Sequence, residues 1–115
     1  MRKKHIFILV WIAAASTIFI LSLLPNFGPP QAYNIDKFFH FGAYAFLGAI
    51  SALSFRRKLP LIIAAIILIV IAFATEFFQQ YVPGRQMSYG DATANISGII
   101  AGIVAGHYFF RGRFN

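Results

Sequence analysis

The chain has 115 residues, 59% of them apolar and only 11% charged, with a formal net charge of +7. A soluble domain carries about 25% charged residues, so the composition excludes an ordinary soluble fold. It also excludes a soluble basic nucleic-acid binder, because too little polar surface remains; no nucleic-acid partner is expected and the cations read as membrane topology signals.

Four hydrophobic segments follow one another as a single domain over residues 1–115, and they predict an all-α membrane protein, a four-transmembrane-helix bundle. The first runs from about Ile6 to Leu24 and stops at Pro25. Arg2, Lys3 and Lys4 before it resemble the start of a signal peptide, but the apolar run exceeds the roughly 7–15 residues of a signal core and no small-x-small site precedes Pro25, so a retained helix is expected. The second covers about Phe38 to Phe55, the third about Leu59 to Tyr81, and the fourth about Asp91 to Phe110. Each approaches the roughly 20 residues that cross a bilayer as a helix, and none alternates as a barrel strand does. Cysteine is absent, which excludes disulfides and cysteinyl metal sites.

The cations orient these segments. Arg2, Lys3, Lys4, Arg56, Arg57, Lys58, Arg111 and Arg113 fall on one side of a four-span arrangement, and only Lys37 and Arg85 on the other. The positive-inside rule then places both termini in the cytoplasm. All three acids, Asp36, Glu76 and Asp91, fall near the opposite, outward ends of the helices, with His40, Gln79, Gln80, Arg85 and Asn95.

Three segments carry polar pairs at i,i+4, which puts both members on one helix face: Asp36 with His40, Glu76 with Gln80, and Asp91 with Asn95. Ordinary helix chemistry accounts for part of this. Ser88-Tyr-Gly-Asp91 fits a capping box, and Asp36 complements the positive end of its helix. Glu76 has no such account, since it lies near a helix C-terminus, where the dipole disfavours an anion. An acid at that depth is expected to face the bundle or a hydrated cleft and to form a site. His40 alone reads as a packing residue; Asp36 one turn before it is suited to fixing its tautomer. Arg85, in the Pro83-Gly84-Arg85 turn, is either a solvated loop cation or an anion ligand, and Lys37 is suited to snorkelling towards lipid phosphate.

Gly98, Gly102 and Gly106 repeat every four residues, with Ala94 extending the ridge; Gly48 with Ala52 and Ala45 with Ala49 do the same on the second segment. Such stripes let helix backbones approach closely. They are not phosphate-binding loops, and neither an HExxH nor a GxSxG motif is present.

Two stretches, DKFFHFGAYAFLG from Asp36 to Gly48 and EFFQQYVPGRQMSYGDATANISG from Glu76 to Gly98, resemble the VanZ-like family of small bacterial membrane proteins. The shared pattern is Asp-Lys-x-x-His-x-x-x-Tyr, then Glu-x-x-Gln leading through Pro-x-Arg to Asp-x-x-x-Asn. Here it falls on Asp36, Lys37, His40 and Tyr44, then on Glu76, Gln79 or Gln80, Pro83, Arg85, Asp91 and Asn95. The resemblance covers essentially the whole chain, the first helix in character only. It implies a multi-pass protein of the bacterial cell membrane with an envelope role, in a family linked to teicoplanin resistance. It implies no particular reaction.

The expected function is an outward-facing site for an anionic amphiphile such as a lipid-linked phosphate, glycolipid or lipoglycopeptide, so the expected partners are membrane lipids or lipid-linked envelope intermediates. Arg85 and Lys37 would hold the head group and Phe38, Phe77 and Tyr81 the apolar part, while Asp91, Asn95, Gln79, Gln80 and Tyr44 position it. A catalytic version would be a hydrolase or transferase with Glu76 or His40 as general acid/base and Asp36 orienting His40. No cofactor is expected; Asp36, His40, Glu76 and Asp91 suit Mg or Mn by ligand type, without a tight ligand motif. The alternative is an envelope scaffold or accessory subunit in which the polar cluster is an internal ion-pair network. A proton or ion pathway ranks below both, because the cytoplasmic halves of the helices are apolar.

Overall fold

The computed structural model describes residues 3–24, 35–82 and 89–114, apart from the side chains of Lys4, Ile35, Asp36, Tyr89, Arg113 and Phe114. Pro83, Arg85, Ser88 and the Asp36 side chain thus lie outside the described residues. Four helices form, α1 (Lys3–Ser22), α2 (Ile35–Ser54), α3 (Lys58–Gln79) and α4 (Tyr89–Ala105). A π-helical turn (Gly106–Phe110) and a 3-10 turn (Arg111–Phe114) prolong α4. The described residues are all-helical, as the continuous apolar runs predict.

Three stretches are long and apolar enough to cross a membrane: His5–Ser22, Lys58–Gln79 and Gly90–Phe110. The bundle measures 43 Å along its long axis, close to the roughly 40–45 Å of a bilayer with its head groups. Helix α2 is as long as α1 but begins three residues before the expected Phe38, taking Ile35, Asp36 and Lys37 into its first turn. It is also the interior helix. Ile50, Ser51, Ala52, Leu53 and Ser54 are buried in succession, so its C-terminal half is covered on nearly every side. Tyr44 and Leu47 of α2 join Ala15, Leu68, Ala72 and Ile99 from the other three helices in the core.

The closest approach is between α2 and α4, and glycine makes it. A Cβ on Gly98 would strike the Phe41 carbonyl, one on Gly102 the Ala45 carbonyl, and one on Gly106 would lie 2.8 Å from the Ala49 carbonyl. Gly48 returns the arrangement from α2, against Ile99 and Ile103. The small-residue stripes are thus the surfaces along which the two backbones touch. On α3 the buried residues Ala64, Leu68, Ala72 and Glu76 recur every fourth position. Glu76 therefore continues the stripe that packs against the rest of the bundle.

Candidate functional site

The antiparallel order of the helices brings the start of α2, the end of α3 and the start of α4 to one end of the bundle. His40, Glu76, Asp91 and Asn95 meet there. The last three are 2%, 2% and 0% exposed, which for two carboxylates is a strong departure from their usual place at the surface. The membrane environment and the bundle interior both penalise an isolated charge, so such groups sit together.

His40 is the centre of the arrangement. Its Nδ1 lies 2.9 Å from Asn95 Oδ1 and 3.9 Å from Glu76 Oε1, and its Nε2 lies 3.5 Å from Asp91 Oδ2. The other Asp91 oxygen, Oδ1, is 3.7 Å from Lys37 Nζ, a half-exposed ammonium at the rim. One imidazole thus faces oxygens from both α3 and α4. Glu76, Asp91 and His40 present one ligand atom each within 4.8 Å of one another, a set with the composition and spacing to hold a metal ion. One turn deeper, the buried Tyr44 hydroxyl lies beside Thr75 and Glu76 without a hydrogen bond of ordinary geometry, while Thr75 Oγ1 donates to the Ala72 carbonyl at 2.9 Å.

Of the residues singled out in the sequence, His40, Glu76, Asp91, Asn95, Lys37 and Tyr44 come together at this end. The sequence pairs His40 with Asp36 along one helix; the contact the structure describes runs across helices, to Asn95 and Asp91. Gln79 and Gln80 separate. Gln79 is buried and donates to the Ser22 carbonyl at 2.9 Å, closing the end of α1 with one of its orphan acceptors satisfied. Gln80 is exposed in the turn that follows α3. Arg85 and the Asp36 side chain, both expected at the site, lie outside the described residues.

The rim is aromatic. Phe38 and Phe39 on α2 and Phe77, Phe78 and Tyr81 at the end of α3 are all exposed, Phe77 stacking edge-on against both Phe78 and Tyr81. Exposed aromatics also ring the other end, as Tyr108, Phe109 and Phe110.

That other end has a polar assembly that sequence reasoning read only as topology signals. Arg111 donates from Nε to the Ala52 carbonyl at 2.9 Å and from Nη2 to the Phe55 carbonyl at 3.3 Å, while Arg56 donates to the Arg111 carbonyl at 3.2 Å. Each guanidinium satisfies carbonyls left over at a helix end, where a cation is also favoured by the dipole. Burial, and then the neighbouring Arg56, push the Arg111 guanidinium below its ordinary pKa, without neutralising a group so basic. Between the ends, Trp11 Nε1 donates to Ser51 Oγ at 2.7 Å, tying α1 to α2.

No family model matches the chain, and neither a curated protein nor a solved structure matches it.

Proposed function

We propose that the protein is a VanZ-like multi-pass protein of the bacterial cell membrane, with both termini cytoplasmic, that binds an anionic amphiphile at its outward-facing polar end. The observation that carries this reading is the convergence of His40 with the buried Glu76, Asp91 and Asn95, from three helices of a chain that has only three acids in all. An otherwise apolar protein concentrates its carboxylates at one place. Acids and imidazoles placed within a membrane protein mark sites of binding or transfer by default. Lys37 at the rim and the exposed Phe38, Phe77 and Tyr81 around it suit a molecule with an anionic head and an apolar tail. The eight-to-two distribution of cations supports the orientation. The two exposed aromatic girdles suit a bundle that spans the bilayer from one interface to the other.

The test uses purified full-length protein in detergent with a bacterial total lipid extract, followed by native mass spectrometry. An anionic lipid is expected to remain bound to the wild type and to be lost from Lys37→Ala and Arg85→Ala with the fold intact. A wild type that retains no lipid, or variants that retain it equally, would overturn the reading. Orientation is tested separately in this cysteine-free chain. Gln80→Cys should react with an impermeant maleimide added to intact cells and Arg57→Cys should not; the reverse pattern would invert the topology.

A second reading, that the cluster is a structural ion-pair network of an envelope scaffold, is favoured by one observation. The contacts at this end join helices to one another: Lys37 and His40 of α2 to α4, and Gln79 of α3 to α1. Loss of the folded protein in Glu76→Gln would support it.

A further inference from the structure

We infer that His40, Glu76 and Asp91 form a binding site for one divalent first-row metal ion, and that this ion receives the phosphate or carboxylate oxygen of the amphiphile's head group. The second half rests on the function proposed above; the first half does not.

The inference begins with the two sides of the imidazole. Asn95 Oδ1 accepts, so the tautomer that its 2.9 Å approach suits carries the ring proton on Nδ1. In that tautomer Nε2 offers its lone pair on the side that faces Asp91 Oδ2, 3.5 Å away. A nitrogen and a carboxylate oxygen so placed can share one cation. The separation is the one a metal needs. Two ligands each about 2.1 Å from a tetrahedral ion stand about 3.4 Å apart.

The surroundings fit the same assignment. Metal-bound histidines commonly donate their other ring N–H to a carbonyl or carboxylate, which fixes the tautomer and aims the ligand nitrogen. Asn95 Oδ1, fully buried and 2.9 Å from Nδ1, is placed to accept such a bond from His40. Lys37 approaches Oδ1 of Asp91 at 3.7 Å, whereas the imidazole faces Oδ2. Glu76 brings the third donor from α3, and one ligand atom from each of the three residues lies within 4.8 Å of the others. The hydroxyl of the buried Tyr44 sits beside Thr75 and Glu76, where it is placed to donate to a ligating carboxylate. An imidazole with two carboxylates suits zinc, manganese or iron by ligand softness. Three protein ligands leave a coordination position open, the arrangement of sites that act on a bound molecule rather than hold a fold together.

The probe is Co2+, which reports coordination by its visible d–d bands. Full-length protein in detergent is stripped with chelator, desalted and titrated. One equivalent of Co2+ is expected to bind, with bands of a four- or five-coordinate site, and Zn2+ is expected to displace it. His40→Gln and Asp91→Asn should each weaken Co2+ by at least about tenfold, and Asn95→Ala by about 10–100-fold through the lost orientation of His40. Lys37→Ala should retain the ion. Absence of saturable Co2+ binding in the wild type would overturn the inference, and that titration decides without any variant. Unchanged affinity in folded His40→Gln and Asp91→Asn would overturn it equally, and would leave a proton between His40 and Asp91 as the positive charge.

A long-chain alkyl phosphate tests the second half. It should bind about tenfold more tightly in Zn2+ than in chelator. Alkyl phosphate binding that ignores the chelator, with no Co2+ uptake, sinks the metal site and keeps the amphiphile reading. Stoichiometric Co2+ uptake with no alkyl phosphate binding does the opposite.

Discussion

The two ends of this bundle handle charge in opposite ways. At the cationic end the charges are of one sign, Arg111 and Arg56 spending their donors on backbone carbonyls at the ends of α2 and α4. At the other end both signs are present, and Glu76, Asp91 and Asn95 are buried among side chains from neighbouring helices. The first arrangement is what helix termination requires. In the second, Asp91 stands in the first turn of α4, where an anion is favoured, but Glu76 stands where the α3 dipole opposes it. The contrast teaches that burial of charge, rather than its presence, separates a candidate site from a cap.

Four substitutions test that contrast, from the largest effect to the smallest. Gly102→Leu removes both ends together, because a side chain there meets the backbone of Ala45, with its carbonyl carbon 2.7 Å and its Cα 2.9 Å from the new Cβ. The cost is about 3 kcal/mol or more, seen as loss of the folded protein in a denaturant titration in detergent. Arg111→Ala affects the cationic end alone. It deletes two hydrogen bonds from a partly exposed group and should lower stability by roughly 1 kcal/mol, while leaving Co2+ binding unchanged. Glu76→Gln is the decisive member. A structural ion pair broken at a buried position costs about 3–5 kcal/mol. A functional acid is held at some expense to the fold, so its neutral isostere should stay within about 1 kcal/mol of the wild type or exceed it. Stability falling further for Glu76→Gln than for Arg111→Ala would erase the distinction between the ends. Gly42→Ala completes the set. It lies on α2 near the polar end, with nothing within 4 Å of the added methyl, and should raise stability by about 0.5–1 kcal/mol through helix propensity alone.

Much of this architecture is legible in the sequence, for identifiable reasons. Long uncharged runs bounded by Pro25, by Arg56–Lys58 and by the Pro83–Gly84 turn leave helices as the natural reading, and their antiparallel order places the acids at one end. The i,i+4 spacings locate His40, Asp91 and Asn95 on single faces. What pairs with what is less legible. Periodicity gives a face but no azimuth relative to a neighbouring helix, so the contacts of His40 with Asn95, Asp91 and Glu76 across helices are not legible in it. The difference between Gln79 and Gln80 is a rotation of one residue, and only the packing of α3 against α1 decides which is buried. Arg111 is invisible as a cap because its acceptors, Ala52 and Phe55, are backbone carbonyls more than fifty positions away. The polar motifs in the sequence name most of the same residues, and they say nothing of the Trp11–Ser51 or Gln79–Ser22 ties, which involve α1.

The glycine contacts between α2 and α4 have a metrical consequence. Gly98 rests on the Phe41 carbonyl, three residues below Asn95 on one helix and one residue past His40 on the other. The gap between the imidazole and the α4 side chains is thus gauged by two backbones in hard contact, the stiffest ruler a helical protein offers. Glu76 arrives on α3, which has no such glycine seam among the described residues. Two jaws of the clamp are riveted together; the third is the one free to be adjusted.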